Sequence, residues 1–341
     1  MTIRTVVADD SPAFRQALIT VLGEDPSFQV VGTAGTGEDA VRRVRELRPN
    51  LVVMDVQMPG MTGVAATAAI MSEAPCAIVV MSGLMQTGGQ QVAFEALRAG
   101  AVDAIGKPRD LNQAAPRQAL RTLLRAMAEV RVVRRRGSDA SRVQPVSSHA
   151  KVQLVALGAS TGGPPALREV LRHLPAQFPA PLLVAQHLAA GFSAGLRQWL
   201  ADSTALQVVR VTHPVVPVPG ILYLPDEGCD LLLRRGAVVS APSASLAVPS
   251  VDRMFRSLLD SPQGVVAVML TGMGRDGADA MLELRQRGAR TAAQDEETSL
   301  IDGMPKAARE LGAAEATLGL PAIGRWLCDL AGVSPVEGDA E

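Results

Sequence analysis

Short apolar runs alternate with amphipathic stretches along most of this chain. In the first third the runs are Thr5–Ala8, Phe28–Thr33, Leu51–Met54, Ala77–Met81 and Val102–Ile105. Between them, Pro12–Leu22, Gly37–Leu47, Thr62–Met71 and Gln91–Arg98 space their apolar residues as a helix does. Strands alternating with helices predict a five-stranded parallel sheet covered on both faces.

The second half repeats the rhythm. Strands are predicted at Val152–Leu157 (ending at Gly158), Leu182–Gln186, Gln207–Val211, Gly264–Leu270 and Arg290–Gln294. Helices are predicted at Ala166–Leu174, from Gly191 through Trp199, and at Val251–Leu259, Ala278–Arg285, Pro305–Leu311 and Ala322–Leu330. Three short extended pieces, Gly220–Leu224, Leu231–Arg234 and Ala237–Ser240, are expected to form a small antiparallel insert in a doubly wound, mostly parallel α/β sheet. Joining the halves is a helix from Pro116 with a stripe of Leu120, Leu123, Leu124, Met127 and Val130. Arginines at 131–136 and a Gly/Ser/Pro-rich stretch follow, the pattern of a connector. The expected division is a domain over 1–125, a linker over 126–151 and a second domain over 152–335. No helix-turn-helix pattern follows the arginines, which argues against a DNA-binding output.

Composition narrows the classes. With 341 residues, 48% hydrophobic and 20% charged, each half can bury a core. A net charge of −1 gives no general pull toward nucleic acid or acidic membranes, and 3% aromatics leaves little to stack on bases. Cys76, Cys229 and Cys328 are far apart, with no C-x-x-C pair, as in a reduced cytoplasmic protein. No signal peptide and no run of membrane-spanning length is expected.

In a parallel α/β sheet, ligands gather at the carboxyl ends of the strands. In the first half those ends carry Asp9 and Asp10, Asp55, Ser82 and Lys107. Clustered carboxylates call for a divalent cation, and hard oxygens suit magnesium; a lysine there balances a phosphoryl group. The segments Val7-Ala-Asp9-Asp10-Ser11, Met54-Asp55-Val-Gln-Met-Pro59-Gly60-Met-Thr-Gly63 and Lys107-Pro108 resemble the receiver domain of two-component response regulators, a flavodoxin-like fold. The resemblance implies that Asp55 accepts a phosphoryl group from a histidine kinase. It implies that Asp9, Asp10 and Asp55 hold Mg2+, and that Ser82 and Lys107 sense the phosphate. Where receivers usually carry an aromatic, three residues before the lysine, this chain has Ala104.

In the second half, Gly158-Ala-Ser160-Thr-Gly162-Gly163-Pro-Pro165 follows a strand and opens a helix. The letters fit G-x-S-x-G, which lifts a nucleophilic serine off a sheet edge. They equally fit a phosphate cradle or an inert tight turn. A hydrolase needs a base for Ser160 and an acid for the base. His187 and His213 each follow a strand, with His187 the better placed. His149 lies in the connector, and His173 lies late on a helix. Asp276, on a glycine turn after a core strand, is the leading acid; Asp252 and Asp295 compete, and capping the next helix is the bland alternative for Asp276.

Several further segments bear on the choice. Leu157-Gly-Ala-Ser-Thr-Gly-Gly-Pro, Gln186-His187-Leu-Ala-Ala-Gly-Phe192, Pro249-Ser-Val-Asp252, Leu270-Thr-Gly-Met-Gly-Arg-Asp-Gly277 and Gln294-Asp-Glu with Gly303-Met304-Pro305 resemble the catalytic domain of the chemotaxis protein-glutamate methylesterase family, CheB. The resemblance implies Ser160 as nucleophile, His187 as base and Asp276 as acid, with Thr161 and Met273 in the oxyanion loops and no cofactor at that site. It implies hydrolysis of glutamate methyl esters, and deamidation of certain glutamines, on the cytoplasmic helices of chemoreceptors, with phosphorylation as the activating event. Two family histidines are missing, at Ala247 and within Tyr223–Asp230. A receiver-controlled serine esterase of a non-chemotaxis signalling array, or a non-catalytic receiver with a partner- or nucleotide-binding output, is the rival reading.

Overall fold

The structure, a computed structural model, describes residues 2–83, 89–108, 110–128, 152–245 and 247–336; for 89–91 it describes the backbone only. Most of the expected connector, including the 131–136 arginines, His149 and Val130, lies outside the described residues. The chain divides into two compact units, Met1–Arg136 and Gly137–Glu341.

The first unit runs β1 (Ile3–Ala8), α1 (Pro12–Gly23), β2 (Phe28–Ala34), α2 (Gly37–Leu47), β3 (Leu51–Asp55), α3 (Gly63–Glu73), β4 (Ala77–Ser82), α4 (Gly89–Arg98), β5 (Asp103–Gly106) and α5 (Ala114–Ala128). The sheet order is β2-β1-β3-β4-β5, with every pairing parallel. β3 and β4 are buried along their whole length, as strands covered on both faces should be. Ser11, Thr36 and Thr62 cap α1, α2 and α3 by accepting from the backbone N–H three residues on. Helix α5 begins two residues before the expected Pro116 and runs past the expected domain end at 125. Its buried stripe is Leu120, Leu124 and Met127, packed toward β3 and β4; Leu123 is half-buried.

The second unit runs β6 (Leu154–Ala159), α6 (Gly163–Leu171), β7 (Leu182–Gln186), α7 (Ser193–Ala201), β8 (Gln207–Val211), β9 (Ile221–Pro225), β10 (Cys229–Arg234), β11 (Ala237–Pro242), α8 (Val251–Arg256), β12 (Val265–Met269), α9 (Ala278–Gln286), β13 (Arg290–Gln294), α10 (Met304–Glu310), β14 (Ala316–Leu318) and α11 (Leu320–Ala331). Its seven-stranded sheet has the order β14-β13-β12-β6-β7-β9-β8, with every pairing parallel.

The structure departs from two sequence expectations. The first of the three extended pieces, β9, belongs to the main sheet, where it lies between β7 and β8; only β10 and β11 form the antiparallel pair. The first strand does not break at Gly158. It continues through Gly158 and Ala159, which pair with Met269 on one side and with Ala185 and Gln186 on the other. Glycine is needed there for space: a Cβ on Gly158 would lie 2.3 Å from Val251 Cγ1.

Both sheets reverse their winding at one place, and that place sets the sites. In the first, β1 and β3 are neighbours while the chain goes to opposite sides after each. In the second, β6 and β12 are neighbours in the same way. A crevice opens beyond the carboxyl ends of such a strand pair. Asp9 follows β1 and Asp55 ends β3; Ser160 follows β6 and Thr271 lies just past β12.

Candidate active site and phosphoacceptor site

At the β1/β3 edge, Asp9 and Asp55 are buried and Asp10 is exposed. One oxygen from each of these three carboxyls lies within 4.8 Å of the others. Lys107, after β5, reaches across with Nζ 2.7 Å from Asp9 Oδ2 and 2.8 Å from Asp55 Oδ2. Its ammonium also sits 4.9 Å from the centre of the Phe14 ring, a favourable cation–π distance. Ser82, buried at the end of β4, accepts the Lys107 N–H at its backbone oxygen, at 2.8 Å. Burial pushes the Asp55 carboxyl above its usual range; the Lys107 bond opposes this and the Asp9 charge adds to it. Burial opposes the charge on Lys107, but its bonds to Asp55 and Asp9 outweigh that and hold its pKa above the ordinary value. A cluster of hard carboxylate oxygens with, among the described residues, one lysine against it fits magnesium chemistry.

At the β6/β12 edge, Ser160 turns the chain out of the sheet. Its N–H donates to Thr271 O at 3.0 Å, and its carbonyl accepts from Gly163 N at 2.8 Å. Gly162 takes φ 74°, where a side chain is strained, and a Cβ there would collide with Leu300. Pro164 and Pro165 then occupy the first turn of α6, where a missing N–H costs nothing. His187 follows β7. Its Nδ1 lies 3.0 Å from Ser160 Oγ and its Nε2 lies 2.8 Å from Asp276 Oδ2. Asp276 Oδ2 also accepts from Val251 N at 2.7 Å, and Oδ1 accepts from Asp252 N at 3.1 Å and Ser250 Oγ at 3.2 Å. Burial raises the cost of charge on Asp276. The His187 bond and the Val251 and Asp252 amides more than offset it, so the carboxyl is held below its usual range.

The competitors stand elsewhere. His213 is exposed and faces Thr212 Oγ1. Asp252 pairs with Arg256, and Asp295 accepts from Thr298. Asp276 does not cap the helix that follows it: α9 has Gly277 at its N-cap with no side-chain bond. Its carboxylate instead accepts from the first-turn amides of α8, whose N-cap is Ser250, while Oδ2 also faces His187 Nε2. Thr161 and Met273 are half-buried, and among the described residues their N–H groups donate to no protein acceptor.

Sequence reasoning missed the frame around these groups. Gln186 is buried, and its Nε2 donates to the carbonyls of Ser160 (2.7 Å) and His187 (2.9 Å), tying the two turns together. Thr271 Oγ1 accepts from Ile301 N at 2.8 Å and donates toward Thr161 O at 3.0 Å. Ser250 and Asp230 support α8. The available signal was a polar residue closing an apolar run, as with Gln186 at the end of Leu-Leu-Val-Ala.

Fold and sites together define a class: a receiver-type sheet carrying an acidic cluster, followed in the same chain by a parallel α/β sheet with serine, histidine and aspartate in series at its edge. Residues 155–327 match the CheB methylesterase family and residues 5–132 match the response regulator receiver domain. The chain is 39% identical to protein-glutamate methylesterase/protein-glutamine glutaminase 3 of Myxococcus xanthus, covering 98% of this chain and 96% of that protein. It is 38% identical to the protein-glutamate methylesterase/protein-glutamine glutaminase of Nitrosospira multiformis, covering 96% and 97%. The crystal structure of the Thermotoga maritima CheB methylesterase catalytic domain superposes with a TM-score of 0.50 at 31% identity, over 52% of this chain and 98% of that one. This chain belongs to the CheB methylesterase family, with a response regulator receiver domain in front. No described helix is long and apolar enough to cross a membrane.

Proposed function

We propose that this chain is a phosphorylation-activated protein-glutamate methylesterase that also deamidates specific glutamines on chemoreceptors. The observation that carries the reading is His187 standing between Ser160 and Asp276 at hydrogen-bond distance from both. Ser160 Oγ attacks the ester carbonyl while His187 Nδ1 takes its proton. The same nitrogen returns the proton to the departing methanol, or to ammonia when a glutamine is the substrate. Asp276 accepts the Nε2–H, fixes the tautomer and stabilises the imidazolium. The N–H groups of Thr161 and Met273 receive the oxyanion, at about 3–4 kcal/mol per donor. Water, activated by His187, then frees the glutamate from Ser160.

The receiver supplies control. Asp55 accepts the phosphoryl group from a histidine kinase, and Ser82 and Lys107 read its presence. Asp9, Asp10 and Asp55 would hold Mg2+, which supplies charge neutralisation for the incoming phosphoryl group. The working division is a receiver that ends with α5 at Ala128 rather than at 125, a linker to 151 and an esterase over 152–335. The partners are a chemotaxis kinase and the cytoplasmic helices of methyl-accepting receptors, in the cytoplasm and without nucleic acid.

The test is methanol release from methylated receptor membranes, with and without a small phosphoryl donor and Mg2+. Release that rises with the donor, and is lost in Ser160→Ala, supports the reading. Release indifferent to Ser160 removes it.

A further inference from the structure

We propose that Asp230 is a positioning residue for the hydrolase site, holding Asp276 in place through Ser250 and the first turn of α8. The inference rests on the Ser160–His187–Asp276 reading. Asp230 lies on β10, in the antiparallel pair outside the seven-stranded sheet, and is fully buried at 0% exposure beside Leu231 and Leu232. A carboxylate so placed must be matched by donors. Asp230 Oδ1 accepts from Ser250 N at 2.6 Å, and Oδ2 pairs with the Arg253 guanidinium. Ser250 is the N-cap of α8 and Arg253 lies in its first turn, so one carboxylate grips that turn at two points.

The opposite side of the same turn is what Asp276 holds. Val251 N, Asp252 N and Ser250 Oγ all donate to it. Two acids thus share one turn. Asp230 takes the Ser250 N–H and the part-exposed Arg253 guanidinium; Asp276 takes the Ser250 hydroxyl and two amides. Without Asp230, no carboxylate holds Ser250 from behind, and the three donors that aim Asp276 at His187 are free to drift. Misplacement of about 1 Å near reacting groups can cost a hundredfold in rate. The antiparallel pair, which adds no strand to the main sheet, acquires a function: it carries the post against which the acid is set.

The experiment follows phosphonylation of Ser160 by a fluorophosphonate in the full chain, separating the inactivation rate kinact from the binding constant KI. The main variant is Asp230→Leu combined with Arg253→Leu, which removes both charges together and leaves no buried ion unpaired. Its kinact is expected to fall roughly tenfold to a hundredfold with KI nearly unchanged. Asp230→Asn keeps an acceptor for the Ser250 N–H and is expected to restore most of kinact. Should the double variant not fold, as read by tryptophan fluorescence, Asp230→Thr combined with Arg253→Leu replaces it, the threonine being too short to reach Ser250 N, and carries the same expectation. Wild-type kinact in the leucine or threonine variant overturns the proposal, as does an asparagine variant as slow as they are. A wild-type chain that never labels at Ser160 overturns the triad reading and this inference with it. Normal labelling in both wild type and variant overturns this inference alone.

Discussion

Asp55 and Asp276 are the same residue type in the same topological place, a crevice at the reversal point of a parallel sheet, yet their acidities move in opposite directions. Burial raises the cost of charge on both. Asp55 receives Lys107 and one backbone amide, and it faces the like charge of Asp9. Asp276 receives His187, two amides and a hydroxyl. Donor count decides the sign. A carboxylate short of donors is primed to take a cation and a phosphoryl group. One surrounded by donors is committed to staying charged and still, which is what an orienting acid must do.

The largest expected effect breaks the second site. Ser160→Ala and His187→Ala should each lower kcat for methanol release by roughly 10⁵–10⁶, and the double variant should be no worse than either, because the groups act as a unit. Additive losses would mean that the two side chains do not work together. Next comes Asp276→Asn. It keeps the shape of the acid but can present N–H where Oδ2 now accepts from Nε2, favouring the wrong tautomer; a loss of roughly 10⁴ in kcat with little change in KM is expected.

The first site should respond to metal where the second does not. Without Mg2+, the raised pKa of Asp55 means that its charge opposes folding once pH exceeds the ordinary carboxylate range. Asp55→Asn should therefore raise the receiver's Tm at neutral pH, measured by calorimetry on the full chain. Saturating Mg2+ should reverse the order, stabilising the wild type by about 2.7 kcal/mol at a hundredfold excess over Kd and the variant by less. Equal stabilisation of both would place the metal away from Asp55.

How much of this was legible in the sequence differs between the two regions for a physical reason. In the first, each functional residue sits at or just beyond the end of an apolar run, so reading strand ends amounts to reading the site. Ser160 and Asp276 were legible in the same way, through glycine turns after core strands. What stayed hidden was support arriving from other elements. Asp230 sits in a short strand, and nothing local says that its carboxylate meets Ser250, twenty residues along the chain. β9 was assigned to the insert because it resembles β10 and β11 in length and no helix separates it from β8. Its parallel pairing with β8 depends on the non-helical 212–220 connection, which has no periodic signal. β14 is only three residues long, too short for alternation to register.

The smallest effect concerns a histidine outside both sites. His173 lies in the turn after α6, 3% exposed, with neither ring nitrogen hydrogen-bonded. Burial lowers its pKa first, and the Arg172 and Arg325 charges lower it further against the opposing pull of Glu169. A base with a depressed folded pKa is neutral in the native state and takes its proton on unfolding. Its contribution to stability is therefore present above the unfolded pKa, about 6.5, and is lost as pH falls toward the folded value, at no more than about 1.4 kcal/mol per pH unit. The esterase unit should weaken in mild acid through this residue, and His173→Leu should flatten the slope between pH 7 and 5. Both tryptophans, Trp199 and Trp326, lie in that unit, so denaturant melts followed by their fluorescence report on it without interference from the receiver. An unchanged slope in the leucine variant would assign the acid sensitivity to other groups, with Asp276 the first to examine, since its depressed pKa also makes it lose stability as pH falls, though through the lower carboxylate range.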